Sequence, residues 1–405
     1  MSLTEQIKEL GPEIGLEIIR IANAEDFPET EKQIIENIEK GYIPKSDYYA
    51  SKNISAGSNN LPLCLCVPAC AYTHADRFAR RQVNRIGKRC NPKSILKRAK
   101  SIISVAQDYL IEETENITDK KQLCGKIAKY DVGNFYYDLK LKLNKIVDFI
   151  NQRSDFKYKS KNKSCYVSLV EKPIAARAGV GWYGKHGIII TERFGSWVVL
   201  GEIITELELE ADAPLLQSCG DCKICIDLCP TQAIVSPYIV DRTRCLQYIS
   251  ERPMKVPVDF REVWGDRLYG CTTCQEVCPK NIKIKPRKYQ PKYGYISSSV
   301  PLIPLLQISE EEYQRFFAYN QIAMRPREAI KRNAALALGN IGDPRAVNPL
   351  VKVLQEDDNS MVRGHTAWAL GKIGEKKAKF ALEKALKIEE DREVGEEIID
   401  ALRRF

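Results

Sequence analysis

The sequence predicts three segments: a mixed α/β (α+β) domain over residues 1–210, a small cysteine-rich domain over 211–290, and a linker with an all-α tail over 291–405. Three observations carry this division. Strand-like and helix-like runs alternate through the first 210 residues. Eight of the 14 cysteines then crowd into residues 219–278. Finally, Ala337-Leu-Gly-Asn-Ile-Gly342 recurs as Ala369-Leu-Gly-Lys-Ile-Gly374, a period of 32 residues.

Taken in order, residues 1–40 are expected to be helical, with Ser2 and Glu5 as a capping box and Ile7, Leu10, Ile14, Ile18 and Ile19 as the apolar positions. The stretch 41–62, rich in Ser, Asn, Gly and Pro, reads as loop. A basic segment from Arg77 to Lys100 leads into Ser101–Gln107, which suits a buried strand. Residues 133–151 read as a helix whose apolar face is Leu139, Leu141, Leu143, Ile146, Val147 and Ile150. Strands are expected at Gly187–Thr191 and Trp197–Thr205. In the tail, each copy of the repeat ends one helix at glycine and starts another after a short turn, and helical pairs of this period stack as a HEAT-like solenoid.

Composition excludes several classes. No apolar run approaches 18 residues and no charged-then-apolar leader opens the chain, so neither membrane insertion nor secretion is expected. Free thiols with metal-like spacing fit the cytoplasm. The net charge of +9, from 62 basic and 53 acidic residues, permits an anionic partner without requiring one. There is no G-x-G-x-x-G fingerprint opening a strand–helix unit and no phosphate-binding loop of the G-x-x-x-x-G-K-[ST] type, so nicotinamide and ATP have no motif.

The cysteines are more informative. Cys219-x2-Cys222-x2-Cys225-x3-Cys229-Pro230 is the spacing of bacterial two-cluster ferredoxins, and Cys271-x2-Cys274-x3-Cys278-Pro279 follows it. Three thiolates at two-residue intervals wrap one corner of an iron–sulfur cube, and the fourth, before the proline, reaches the other cube. One [4Fe-4S] cluster is then held by Cys219, Cys222, Cys225 and Cys278. The other takes Cys229, Cys271 and Cys274, with Cys245 as the nearest spare thiol. Zinc and disulfides are the competing uses of such thiols, and neither commonly shows this crossed pattern.

Beyond the cysteines, the chain resembles the epoxyqueuosine reductase family, cobalamin-dependent iron–sulfur enzymes of tRNA modification related to reductive dehalogenases. The resemblance is carried by Pro92-Lys-Ser-Ile-Leu-Lys-Arg-Ala-Lys-Ser-Ile-Ile103 and Ala128-Lys-Tyr-Asp-Val-Gly133. It continues in Ala175-Ala-Arg-Ala-Gly-Val-Gly-Trp-Tyr-Gly-Lys185 and Gly195-Ser-Trp-Val-Val-Leu-Gly-Glu202, then in the first cysteine run, Arg244-Cys245, Gly270-Cys271 and the repeat tail. The resemblance implies a corrinoid (cobalamin) held base-off in the α/β domain close to a cluster. It implies Tyr130, Gly133, Tyr136, Gly181, Trp182, Gly184, Lys185, His186, Gly195 and Ser196 as cofactor-binding residues, and it supports Cys245 as a cluster ligand. Clusters pass electrons singly, whereas reducing an epoxide takes two, and cobalt can accumulate them. The expected function is two-electron reduction of an epoxide-type substrate in tRNA, in the queuosine pathway. The alternatives are a divergent paralogue reducing a small molecule, as reductive dehalogenases do, and an electron-transfer protein serving another corrinoid protein.

Two departures bear on proton delivery. Where the family has an aspartate six residues before the acid matching Glu171, this chain has Cys165. Where the family has Asp-Tyr-His, it has Phe135-Tyr136-Tyr137. The candidate proton donors are therefore Cys165, Tyr137 and Tyr166, with Tyr136 beside them. Cys64, Cys66, Cys70 and Cys90 match no standard metal spacing and are expected to be structural or redox-active.

The resemblance also implies a tRNA partner. Lys280, Lys283, Lys285, Arg287, Lys288 and Lys292, interleaved with Tyr289 and Tyr293, would meet phosphates and unstacked bases. Arg325, Arg327, Lys331 and Arg332 lead into the repeat tail as a second basic group. An external low-potential electron donor such as ferredoxin or flavodoxin is expected, and a monomeric state.

Overall fold

The computed structural model describes residues 1–44, 86–112, 122–155, 157–164 and 169–405. Cys64, Cys66, Cys70, His74, Cys165 and Tyr166, and most of the 41–62 stretch, lie outside the described residues. The chain forms two compact units whose segments interleave in sequence. The first comprises Met1–Leu110, Phe135–Thr243 and Thr273–Pro286; the second comprises Ile111–Asn134, Arg244–Thr272 and Arg287–Phe405.

The first unit is built on a four-stranded sheet in the order Ile18–Asn23, Ser101–Asp108, Val198–Thr205, Ser160–Ser164. Every neighbouring pair is antiparallel, with Ile21 opposite Ile103 and Ile103 opposite Ile203. Helices and strands alternate along the chain, but the sheet is not parallel, so the unit has α+β character. Both central strands are buried along all eight residues, because each face of the sheet is covered. On one face lies the Phe135–Arg153 helix, which buries Leu139, Leu143, Ile146 and Ile150, the i, i+4, i+7, i+11 positions of its apolar stripe. Gly201 lets this helix sit close: a Cβ there would meet Leu143 at 2.9 Å and Leu139 at 3.0 Å. On the other face Ile102, Ala106, Val198, Leu200 and Ile204 pack with Ile174 and Ala175 of the Glu171–Arg177 helix, with its C-cap Ala178 and with Ile189.

The N-terminus departs from the expectation of one helical stretch. Ser2 and Glu5 do form the capping box of a Leu3–Glu13 helix. Gly15 then takes a left-handed φ of 75°, and Ile18 and Ile19 continue into the edge strand. Their β-branched side chains suit a pleated surface, and the helical spacing ends at the glycine. A second helix runs from Pro28 to Glu39.

The second unit pairs Cys124–Ile127 parallel to Arg267–Tyr269 and antiparallel to Ser299–Pro301. Its core continues into five helices: Arg327–Ile341, Val347–Glu356, Ser360–Ile373, Lys376–Leu386 and Arg392–Leu402. Gly342 and Gly374 end the first and third of these in the left-handed region. Gly339 and Gly371 sit where helices cross closely: an added Cβ would meet the Cα atoms of Ala369 and Ala401 at 2.8 Å in each case. The spacing from Ala369 to Ala401 is again the repeat period, so the repeat continues into the last helix as Ala401-Leu402, with Arg403 at the position of Gly371.

Candidate functional site: a four-thiol cradle and a glycine-rich hairpin

The first cysteine run lies on a loop that turns at Gly220, φ 49°, and enters the short Ile224–Asp227 helix. Cys278 caps the Pro279–Ile282 helix, its carbonyl accepting from the Asn281 N–H at 2.8 Å. Sequence-distant Cys278 comes to the run in this unit: burial pushes the Cys225 thiol up to about 11, and Cys278, Cys219 and Cys222 add to the shift. Cys278 is raised by burial as well, with Cys219 and Cys222 contributing. Cys278 and Cys219 also pack with Trp182, Ile190 and Leu215. Among the described residues no three His, Cys, Asp or Glu side chains close up to the distance of a single ion. Four thiols gathered in one place at the spacing of the ferredoxin run are the donor set a [4Fe-4S] cluster takes, so they fit that group. Neutral thiols crowded in a buried cradle repel as thiolates, and iron would supply the missing positive charge. Of the remaining four cysteines, Cys229 and Cys274 belong to the first unit and Cys245 and Cys271 to the second. The Cys229 sulfur accepts from the Ala233 N–H at 3.2 Å.

The Gly179–Lys185 segment leads into a tight hairpin in which Trp182 pairs with Ile190 and Tyr183 with Ile189. Its glycines serve the hairpin itself. A Cβ on Gly181 would meet the Ile190 carbonyl oxygen at 2.3 Å, and one on Gly184 would meet the His186 ring at 2.6 Å. Lys185 reaches out of the hairpin and donates to the Gly220 carbonyl at 2.5 Å, between Cys219 and Cys222. The Lys280 ammonium lies 6.0 Å from the centre of the Trp182 ring.

Two buried polar atoms of the hairpin have no partner: the indole N–H of Trp182 and Nε2 of His186. Nδ1 of His186 accepts from the Ile188 N–H at 3.2 Å, so Nε2 carries the hydrogen. Burial, reinforced by Lys172, pushes this histidine down to about 4 and keeps it neutral. Both orphaned atoms are therefore donors, and a buried donor without an acceptor costs about 1–3 kcal/mol. A ligand edge lined with carbonyl oxygens would satisfy both.

Gly195 and Ser196 are committed within the chain. Asn281 Oδ1 accepts from the Ser196 N–H at 2.8 Å, and Asn281 Nδ2 donates to Ser196 Oγ at 2.8 Å and to the Gln275 carbonyl at 2.7 Å. Gln275 donates to the Ser196 carbonyl and to the Tyr109 hydroxyl, both at 2.8 Å. This network fixes the loop that carries Cys278, and Gln275 and Asn281 escaped the sequence reading because a buried amide leaves no spacing pattern. Tyr136 and Tyr137 stand half-buried in the first turn of the Phe135–Arg153 helix.

Tyr130 and Gly133 belong to the second unit. There Gly270, φ 75°, lies so close to Tyr130 that a Cβ would meet its hydroxyl at 2.5 Å. Beside Tyr130, burial and Glu251 push Asp131 up to about 8, against the pull of Arg325. Arg325 bridges Glu251 at 3.0 Å and donates to the Tyr269 hydroxyl at 3.0 Å.

The two basic groups fare differently. Lys280, Lys283 and Lys285 of the first unit, and Arg287, Lys288 and Lys292 of the second, are all exposed. The second group is not a free surface. Arg332 is fully buried and donates to the carbonyls of Ile249, Arg252 and Met254, while Lys331 pairs with Asp357. The run of basic residues in the sequence gave no sign that Arg332 is spent on the carbonyls at and just after the Leu246–Ser250 helix, Lys331 on Asp357 and Arg325 on Glu251. Of the four N-terminal cysteines, Cys90 is described and is buried, its thiol pushed up to about 11 by burial and Glu31. No described helix is long and apolar enough to cross a membrane.

Comparison with known proteins places these features together. Residues 89–162 match the family described as epoxyqueuosine reductase QueG, DUF1730; residues 218–281 match the 4Fe-4S double cluster binding domain; residues 319–403 match HEAT repeats. The epoxyqueuosine reductase of Bacillus subtilis is 36% identical over 284 residues, spanning 69% of this chain and 73% of that protein. That of Staphylococcus aureus is 33% identical over 292 residues, with the same shares. The solved B. subtilis enzyme superposes with a TM-score of 0.83 at 29% identity, covering 100% of this chain and 99% of that one. An epoxyqueuosine reductase crystallised with an epoxyqueuosine-modified tRNA-Tyr stem loop gives 0.82 at 29% identity, covering 99% and 98%. On this evidence of sequence, fold and cluster cradle, the chain belongs to the epoxyqueuosine reductase family.

Proposed function

We propose that this protein reduces the epoxide of epoxyqueuosine within tRNA, passing electrons from an external low-potential donor, such as a ferredoxin or flavodoxin, through two [4Fe-4S] clusters to a corrinoid. The carrying observation is the Cys219, Cys222, Cys225 and Cys278 cradle, packed against the Trp182 hairpin. The second cluster takes Cys229, Cys245, Cys271 and Cys274. The corrinoid, when bound, supplies a cobalt centre at which two electrons delivered singly are gathered. Its rim of amide carbonyls suits the two orphaned donors, so Trp182 and His186 would hold it, with Gly181, Gly184 and Lys185 shaping the hairpin that presents them.

The chain's own part is to bind, orient and protonate. The exposed lysines Lys280, Lys283 and Lys285 attract the phosphates of the RNA, and their contribution falls as salt rises. Tyr137, at the head of its helix, and Cys165 and Tyr166 are the proposed proton donors, standing in for the family's aspartate and histidine. The protein acts in the cytoplasm, as a monomer.

The test is anaerobic turnover of epoxyqueuosine-containing tRNA by protein reconstituted with iron, sulfide and cobalamin, followed by nucleoside analysis. Roughly eight irons and one cobalt per chain are expected together with loss of the epoxide. Full metal loading without loss of the epoxide under strong reductant would overturn the reading.

A further inference from the structure

Lys185 is a buried cation beside the four-thiol cradle. It follows the Trp182–Tyr183 strand of the hairpin and is only 9% exposed. Its backbone is held within the first unit: the Tyr238 N–H donates to the Lys185 carbonyl at 2.9 Å, and the Gly184 N–H donates to the Ile188 carbonyl at 2.9 Å. The side chain runs to the tight turn that begins the cysteine run. There the Cys222 N–H closes on the Cys219 carbonyl at 3.1 Å, with Gly220 at φ 49° inside the turn. The Lys185 ammonium donates to the Gly220 carbonyl at 2.5 Å, on the residue next to Cys219. Trp182, on the same hairpin, packs with Cys278 and Cys219. Hairpin and cradle thus meet at two points, one apolar and one charged.

An ammonium carries three donors and a full charge. Lys185 spends one donor on a neutral carbonyl, and among the described residues no carboxylate pairs with it. Buried charges are costly unless a counter-charge accompanies them. The acids nearest the turn in sequence do not supply one: Asp221 is exposed, and Glu192 accepts from Gln217 at 2.6 Å. Lys223, beside Cys222, is exposed as well, so water and salt screen its charge. The group that fits the cradle is itself an anion. Four thiolates around a [4Fe-4S] cube carry two net negative charges, and three once an electron is added. The cube is therefore the counter-charge of Lys185, and reduction strengthens the attraction.

We propose that Lys185 sets the reduction potential of the cluster held by Cys219, Cys222, Cys225 and Cys278, its buried ammonium favouring the reduced, more negative state. The proposal rests on the reading of the cradle as a cluster site. The step concerned is the transfer of one electron from the external donor: the donor is oxidised, the cluster is reduced, no bond breaks and no proton moves. Lys185 acts through the cluster, as a positioning residue. Its charge raises the potential, so the cluster accepts an electron that a cradle without the cation would leave on the donor. The hydrogen bond to Gly220 is what keeps that charge at the ligand turn instead of in solvent.

The test is an anaerobic redox titration of the full-length holoprotein followed by electron paramagnetic resonance, with the relevant couple identified as the one that disappears in Cys278→Ala. Lys185→Gln keeps a donor for the Gly220 carbonyl and removes the charge. At a fixed solution potential its ratio of reduced to oxidised cluster should fall about tenfold, a shift of about 59 mV for a one-electron couple. Lys185→Arg, which keeps the charge, should stay within about twofold of the wild type. Lys223→Gln, which removes an exposed charge from the same loop, should also change the ratio by less than about twofold. Iron content should be equal in all four proteins. An unchanged couple in Lys185→Gln, or an equal fall in Lys185→Arg, would overturn the charge role. Loss of the fold or of iron in Lys185→Gln would overturn it too, because the lysine would then serve assembly and not potential. A wild type with no couple that Cys278→Ala removes would instead sink the cluster reading of the cradle, a separate failure seen before Lys185 is altered.

Discussion

Substituting Gly195 by alanine isolates the network that fixes Cys278. Gly195 has φ 56°, where an L-residue is strained by roughly 1–2 kcal/mol. The added Cβ would also lie 2.2 Å from Asn281 Oδ1 and 3.1 Å from the Lys280 carbonyl oxygen. Asn281 therefore has to move, and it makes three buried hydrogen bonds, two to Ser196 and one to the Gln275 carbonyl. At about 1 kcal/mol each these are worth about 3 kcal/mol, so Gly195→Ala should cost about 4–5 kcal/mol in the stability of the first unit. A double-mutant cycle separates the causes. In an Asn281→Ala background, Gly195→Ala should cost only the backbone strain, a coupling of about 3 kcal/mol. The assay is denaturant unfolding of the iron-loaded protein under argon, followed by the cluster absorbance and by far-ultraviolet circular dichroism. Additive costs in the cycle would refute the reasoning, since the clash with Asn281 would then play no part.

Other expectations follow from the same geometry. Cys278→Ala should lower iron from roughly eight to roughly four per chain, read by metal analysis after anaerobic reconstitution, because it removes one corner of a single cradle; unchanged iron would mean the thiols are grouped otherwise. His365 accepts from the Val256 N–H at 3.0 Å, and its Nδ1 faces the Met361 carbonyl at 2.7 Å. Burial, with Arg261 and Arg332, pushes it down to about 3. The folded state thus binds fewer protons than the unfolded one between pH 3 and 6.5, so stability is fully present above 6.5 and falls by about 1.4 kcal/mol per pH unit below it. Calorimetry at pH 7.5 and 5.0 should show that drop in the wild type and a smaller one in His365→Gln. Glu397→Ala should destabilise the repeat core by about 3–5 kcal/mol, because it strands the fully buried Arg261 guanidinium that Glu397 holds at 2.6 and 2.7 Å. Glu397→Gln, which keeps one acceptor, should cost less in urea melts.

Sequence-local chemistry was legible because its signal is local. A cube demands thiolates at fixed short intervals, so Cys219, Cys222, Cys225 and Cys278 could be named before any fold was known, and the structure brings Cys278 to the run. The capping box at Ser2 and Glu5, the buried strand at Ser101 and the helix through Leu139 and Ile150 were readable for the same reason: caps and periodicity are written within a few residues of each other. Ile18 and Ile19 were misassigned to a helix because two isoleucines satisfy either period, and the left-handed turn at Gly15 decided between them.

By itself, then, the sequence determined the double-cluster domain, the 32-residue repeat and the family. Only the tertiary structure decided which polar groups are buried and with whom. It showed that Arg332 caps the end of the Leu246–Ser250 helix inside the core, that Ser196 is tied to Asn281, and that Glu202 faces Ser104 with no partner. The reason is physical. Thiolate spacing and helix caps are set by bonds between near neighbours, whereas the charge state and role of a carboxyl, an amide or a guanidinium depend on the dielectric and the partners that residues a hundred positions away provide.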